Sequence, residues 1–583
     1  MANFYTDNED IQFLFRHMDL ARVAKLTEEG FRFAKEFDFA PADAAEAVDN
    51  YQRVLTVIGE IAGERVAPTA AETDEVGSTL NPDGSVTYAP GIAEAIRLMG
   101  QADLMGFTLP YRFGGINGSN LVYTMSNDIV SRADAALMNI YGLQGIAETI
   151  NAFASEEIKQ EYLPRMASGE WTGAMVLTEP DAGSDLQAVK TRAYQDEQGR
   201  WFVRGVKRFI TNGCGQVLLV LARTEPGIAD GRGLSCLLVE RGPRVRVRRL
   251  ENKLGIHGSP TCEIFFDDAP AKLIGERQRG LITYVMSLMN GARIGIAAQS
   301  LGIGEAACRV ARDYGRTRKQ FGVAIDTFPS VRELLVDMSV DLQAARALSY
   351  YAAFSVDLEM GHARVLEAGV EKDPDAIKRA RTESRKYKNF NKMLTPMAKY
   401  YASEMSMRCA NGAMAVLGGS GYMKDYPVER FLRDSRITTI YEGTSQLQVV
   451  ASIAGVTTGT INEVLEEILG GRNWTDELGT IVAKIREGQA LLQEAVAFVK
   501  TQPGGNAYRD LYARRLVDTA IYLVVGALFC DHATASPKKL VVARRWAGEK
   551  LVQIRMLKEQ VCSGATLPIN EFETLASQLP VVD

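Results

Sequence analysis

Between Trp171 and about Gly275 the sequence stops reading as helix, and this switch constrains the fold more than any other feature. Short runs rich in β-branched and aromatic residues alternate there with polar positions and turn signals: Trp201-Phe202-Val203, Val217 to Leu221, Leu237-Leu238-Val239 and Cys262 to Phe266. Such spacing predicts an antiparallel β-barrel or sandwich. On both sides the period is helical. Upstream lie Ala42 to Ile61 and Glu156 to Ala167, interrupted by the Gly/Pro loop Gly106 to Gly115. Downstream the helical period runs from about 280 to 455, and beyond Gly470-Gly471 a further block places Ile481, Ile485, Leu492, Val496 and Val499 at helical spacing. A later helix opens with Ser536-Pro537 and closes at Gly564, with Pro568 just beyond. At 583 residues the chain exceeds one core. The expected division is an N-terminal helical arm (1–36), a helical domain (37–170), a β domain (171–278), a helical bundle (279–470) and an added helical domain (471–583).

Composition narrows the function. The formal charge is only -6, from 66 basic and 72 acidic residues, so nothing draws the whole chain to nucleic acid or an anionic membrane. Ala363 to Lys392 is densely charged, as a solvated helix face is. Seven scattered cysteines without a C-x-x-C pair and four dispersed histidines indicate neither a disulfide framework nor a metal site. The N-terminus lacks a secretory profile, and the apolar run Ala520 to Cys530 falls short of the ~20 residues of a membrane span. A soluble, cytoplasmic protein with no integral membrane segment is expected.

Chemistry is concentrated in six segments. Arg433 to Ser445 places Glu442 between Tyr441 and a Gly443-Thr444 turn. By itself this is an ordinary helix-ending turn. Val176 to Asp185 contains Thr178-Glu179-Pro180 and Gly183-Ser184; Phe209-Ile210-Thr211-Asn212-Gly213 follows. Gly106 to Gly115, Arg316-Thr317-Arg318-Lys319-Gln320-Phe321-Gly322 and Gly418-Gly419-Ser420-Gly421-Tyr422 complete the set. No Rossmann fingerprint is present.

In order and spacing these segments resemble the signatures of the acyl-CoA dehydrogenase family, over roughly residues 40 to 455. The resemblance implies a fold that is mainly α with a central β domain: a helical N-terminal domain, a β-barrel middle domain and a four-helix-bundle C-terminal domain. It implies FAD as cofactor. Met175, Leu177, Thr178, Gly183 and Ser184 correspond to the flavin loop, and Phe209, Ile210 and Thr211 to the segment against the isoalloxazine ring. Arg318, Gln320 and Phe321 correspond to the element reaching a neighbouring subunit's flavin. Gly418 and Gly419 match the glycine turn, and Thr444 and Gln446 the adenosine contacts. Glu442 becomes the base, with Ser184, Asn290, Arg293, Tyr441 and Gly443 on the substrate side. The implied reaction is oxidation of an acyl-CoA to the trans-2-enoyl-CoA, with electrons passed to an electron-transfer flavoprotein.

The residue types suit that reaction. An α-proton is weakly acidic, so the forming enolate needs donors at the thioester oxygen, and a carboxylate base needs burial to raise its pKa. Some relatives place the base where Ala292 stands here, which leaves Glu442. Ala415 replaces a common glutamine and Asn290 a common aspartate, which puts those two contacts in doubt. The block after 470, like Lys253 to Cys262, resembles larger members of the 3-methylthiopropanoyl-CoA and broad-chain type, and implies a homodimer. Pocket walls are expected from Leu137, Met138, Tyr141, Leu143, Gln144 and Tyr441. An acyl-CoA oxidase remains an alternative, as does a DNA-associated flavoprotein of the alkylation-response type, which the acidic net charge disfavours.

Overall fold

The structure, a computed structural model, describes residues 2–369, 371–474 and 476–576, without the side chains of Leu143, Ser287 and Asn290. The chain forms two compact units, Met1–Asn391 with Ala398–Ser445, and Lys392–Met397 with Gln446–Asp583.

In the first unit the N-terminal arm is two short helices, Glu9–His17 and Leu20–Thr27. Asn8 and Asp19 cap them by accepting backbone N–H bonds. A buried ion cluster fastens the arm. Arg346, 1% exposed, donates to Asp10 (2.8 Å), Asp128 (2.9 Å) and Glu305 (2.9 Å). Helix Ala44–Glu60 starts on an Asp43 cap, and helix Asn120–Ala133 is buried around most of its circumference against helix Met286–Thr317.

The β region closes into a barrel. Its strands are β1 (Gly173–Val176), β2 (Arg192–Gln195), β3 (Trp201–Thr211), β4 (Val217–Arg223), β5 (Leu234–Glu240), β6 (Val245–Leu250) and β7 (Thr261–Ile274). The circuit runs β4–β5–β7–β3–β2 and returns to β4; β1 joins β4, and β6 joins β7. Its interior is aliphatic, with Val203, Leu218, Val220, Leu237 and Ile264 at 0% exposure. The expected antiparallel pairing holds for most of it. However, β1 lies parallel to β4, and β2 meets β4 in parallel at Arg192↔Arg223. β1 and β4 are separated by the long excursion through the flavin-loop segment, which gives room for a parallel return.

Three long helices follow, Met286–Thr317, Pro329–Ala368 and Pro374–Leu417. The first pair is separated by a hairpin of Lys319–Gln320 with Val323–Ala324, and the second pair by Gly369 (φ 61°) and the Asp373 cap. These breaks lie inside a stretch that reads as continuous helix in sequence.

In the second unit Asp476–Thr501, Asn506–Ala533 and Pro537–Val561 pack on one another. Ile481, Ile485, Leu492, Val496 and Val499 are buried, and the Trp546 indole donates to the Tyr522 carbonyl at 2.9 Å. Asn506–Ala533 is long and apolar enough to cross a membrane, yet 78% of its most apolar window is buried within the fold, as in a core helix.

Candidate active site

The base segment sits in a strained turn. Helix Val428–Thr438 ends, and the next begins at Ser445. Between them Glu442 has φ 53° and Gly443 φ 88°. A left-handed glutamate costs of order 1 kcal/mol and persists only where its surroundings impose it. Helix Pro374–Leu417 supplies that constraint from one face. Lys399 Nζ donates to the Gly443 carbonyl at 2.8 Å, Ser403 Oγ to the Thr438 carbonyl at 2.9 Å, and Glu404 accepts from Ser445 Oγ at 2.6 Å. These residues are a helical turn or so apart, so one helix clamps both ends of the loop.

The electrostatics suit a base. Desolvation drives the Glu442 carboxyl up to about 7 against the opposing fields of Lys399 and Arg293. Lys399 has no exposed surface, and burial takes its ammonium down to about 7 despite the Glu442 and Glu404 carboxylates. Arg293 is largely enclosed; burial holds its guanidinium below its ordinary value, and Glu442 pulls it back up. Tyr441 is fixed by its hydroxyl, which donates to Asn139 Oδ1 at 3.1 Å and to Gln299 Oε1. Gln299 in turn donates to Asn139 (2.9 Å) and to the Ala135 carbonyl (2.8 Å). Leu137, Met138, Tyr141 and Gln144 are buried nearby in sequence; Leu143 and Asn290 lie outside the described side chains.

The flavin-loop residues form a second group. Strand β3 carries a register shift between Lys207 and Ile210, and Phe209 in that bulge has φ 60°. A bulge re-aims a side chain, and the Phe209 ring is turned out to 52% exposure while Lys207 on the other face is fully buried. Lys207 Nζ donates to the Leu177 carbonyl (2.7 Å) and pairs with Glu179 (3.0 Å). Glu179 also accepts from the backbone of Lys190 (2.6 Å) and Thr191 (2.9 Å). Burial would raise the Glu179 carboxyl, but Lys207 and these N–H donors hold it below its ordinary value. The Arg208 N–H then fixes the Thr178 carbonyl at 3.0 Å. Met175 and Leu177 pack against Val285 and Met289, the start of the helix that carries Arg293 and Gln299.

Two side chains point elsewhere than a cofactor contact requires. Ile210 is 2% exposed in the barrel core and Leu177 is 7% exposed in the cluster just described, so only their backbone is available. Ser184 is exposed, and a Cβ on Gly183 would meet nothing within 4 Å, which leaves open space for a close backbone approach. Thr178 and Thr211 are half-buried. Arg318, Gln320 and Phe321 stand on the exposed hairpin, and Gly418 and Gly419 on a short turn; Tyr314 OH and Ser420 Oγ, 3.2 Å apart, tie the two places together. Thr444 lies in the base turn, and Gln446 is the first long stretch's opening residue in the second unit.

Sequence reasoning missed Lys399, Lys207, Asn139 and Gln299. Lys399 was detectable as a lone cation among Met393, Leu394, Met397, Tyr400 and Tyr401 on a long helix. Asn139 and Gln299 carry no local signal.

Three stretches match family profiles: residues 49–170 "Acyl-CoA dehydrogenase, N-terminal domain", 174–269 the middle domain, and 279–373 with 374–456 the C-terminal domain. The chain belongs to the acyl-CoA dehydrogenase family. It is 39% identical to an acyl-CoA dehydrogenase of Bacillus subtilis over 363 residues, 61% of this chain and 87% of that one. A solved chain reported with the electron transferring flavoprotein of Acidaminococcus fermentans is 31% identical, TM-score 0.59, covering 69% and 97%. An acyl-CoA dehydrogenase complexed with FAD from Bacillus anthracis covers 91% of this chain and 92% of its own at TM-score 0.74; at 21% identity this likeness is one of fold. The protein is therefore an FAD-dependent oxidoreductase acting on CH–CH bonds. The outward Phe209 ring, the open side of Gly183 and the pinned Leu177 and Thr178 carbonyls fit such a cofactor.

Proposed function

We propose that the protein oxidises an acyl-CoA thioester to the trans-2-enoyl-CoA, with Glu442 as the base that removes the α-proton. FAD, when bound, supplies the acceptor for the β-hydride. The observation carrying this reading is the Glu442 carboxyl held in a left-handed turn clamped by Lys399, where desolvation raises it to about 7. Near neutral pH such a group is partly ionised and basic enough to accept a carbon-bound proton. Its own N–H is the donor we assign to the thioester oxygen, and the clamp holds both groups of one residue in fixed relation. Arg293 and Lys399 keep the carboxylate form populated in a desolvated site. Thr178 and Thr211 offer hydroxyls toward the cofactor, and Phe209 a wall beside it.

The chain found with an electron transferring flavoprotein supports a flavoprotein as electron acceptor here. The exposed hairpin, with Phe321 at 95% exposure beside Arg318, supports a homodimer in which a second subunit covers it. Anaerobic titration of the FAD-loaded enzyme with short, long, branched and aryl acyl-CoAs should bleach the flavin for at least one of them. Glu442→Gln should keep the flavin and lose that bleaching; bleaching at the parental rate would remove Glu442 from the role. Slow reoxidation of substrate-reduced enzyme in air-saturated buffer distinguishes a dehydrogenase from an oxidase.

A further inference from the structure

The N-terminal arm precedes the family-matched region, which begins at residue 49, and its Glu28, with Phe39 and Pro41 just after it, borders a half-open cavity of about 250 Å³ against helix Ala44–Glu60 and the Gly106–Gly118 loop. The catalytic residues take no part in it. Its walls are aromatic, from Phe39, Tyr51, Phe107 and Tyr111. Phe39 and Tyr111 meet edge to face at 5.5 Å and 80°.

Glu28 also lines this cavity and is only 1% exposed. Its Oε1 accepts from Tyr111 OH (2.9 Å) and Asn117 Nδ2 (3.1 Å), whereas Oε2 is buried without a hydrogen-bond partner. Among the described residues no ion pair reaches this carboxyl. In its ionised form this carboxyl is buried with no paired cation, and the Arg364 guanidinium acts on it only as a background field. The segment 36 to 52, which gives Phe39, Pro41, Ala47, Asn50 and Tyr51 to the lining, carries Glu36, Asp38, Asp43, Glu46 and Asp49 exposed and no basic side chain. The one cation lining the cavity, Arg53, pairs with Asp49.

We infer that this cavity is a binding site for a small organic cation, an ammonium on an apolar body, with the charge at Glu28 and the body against the four rings. Aromatic faces attract cations through their quadrupole, most strongly when the charge is desolvated. A neutral ligand of the same shape would gain the apolar contact and leave the carboxyl unanswered. An anionic ligand would meet the carboxyl and the field of the acidic 36 to 52 segment. Burial has pushed Glu28 up to about 7, with Tyr111, Asn117 and Arg364 pulling it down and Glu29 pushing it up. A cation bound at this place favours the ionised form, so binding near pH 7 releases protons.

The test is calorimetric titration of the FAD-loaded, full-length protein at pH 7. Choline is compared with its uncharged isostere 3,3-dimethylbutan-1-ol, and phenethylammonium with a neutral aryl ether of equal length. At least one cation should bind in the millimolar range or tighter, with its neutral counterpart roughly tenfold weaker or more. The heat should vary with the ionisation enthalpy of the buffer in the direction of proton release. Glu28→Gln should weaken the cation by about tenfold or more and abolish the proton release, with flavin content and acyl-CoA turnover unchanged. Equal binding of cation and isostere, absence of binding for both cations, or unaltered affinity in Glu28→Gln overturns the assignment. If that variant does not fold, the isostere comparison and the proton release on the parent protein decide.

Discussion

Lys207→Met is the sharpest probe of how the barrel presents its flavin-facing loop. The lysine has no exposed surface; its Nζ is 3.0 Å from Glu179 Oε1 and 2.7 Å from the Leu177 carbonyl. Methionine retains most of the volume and removes both polar contacts. Glu179 then keeps two backbone donors and loses its cation, and the Leu177 carbonyl loses its partner. Stranding one member of a buried pair costs about 3–5 kcal/mol. An unsatisfied carbonyl costs about 1–3 kcal/mol, and because Lys207 serves both groups the two figures overlap rather than add. Against a total stability of about 5–15 kcal/mol, a loss of about 3–5 kcal/mol is large. Removing the stranded charge as well, in Lys207→Met/Glu179→Gln, should recover about 1–4 kcal/mol. Urea unfolding by circular dichroism measures the stability. The rise of free-FAD fluorescence on dilution measures cofactor release, which the single variant should accelerate because the Leu177 carbonyl is no longer held. A single variant within about 1 kcal/mol of the parent, with unchanged FAD release, would refute the reasoning and make the pair an incidental product of burial.

Lys399→Met should move the acid limb of the kcat/KM profile, set by Glu442 near 7, to higher pH, because the lysine ammonium favours the carboxylate and its loss favours the protonated form. An unshifted limb with lowered activity would leave holding the Gly443 carbonyl as the role of Lys399, and an unshifted limb with parental activity would remove both roles. Arg346→Met strands Asp128 in the core, while Glu305 keeps Arg309 at 2.6 Å, and should cost about 3–5 kcal/mol. It also frees Asp10, so limited proteolysis should cut the N-terminal arm before the rest of the chain, and equal cleavage rates in variant and parent would exclude the anchoring role.

How much of this was legible in the sequence follows from which interactions are periodic. Helices and strands announce themselves because burial repeats every 3.6 or 2 residues along one segment, and the change near Trp171 is such a change of period. The parallel return of β1 beside β4 is not periodic in that sense: Gly173 to Val176 would read the same in either orientation, and only the closure of the barrel selects one. The site divides in the same way. Glu442, Phe209 and the flavin loop stand out as ordered segments, yet what makes each of them work comes from a distant element. Lys399 is 43 residues from Glu442, with its amine on the next residue's carbonyl; Lys207 is 30 residues from the carbonyl it holds; Gln299 is 142 residues from the tyrosine it orients. A lone buried lysine or glutamine has no local pattern, because its energetic reason is a partner supplied by the fold. Such residues can still be anticipated by their cost. A cation within an apolar helical stretch is expensive to bury, and Lys399 lies in one, so the sequence points to a counter-charge or an orphaned carbonyl there, and the structure supplies both in the turn that carries Glu442.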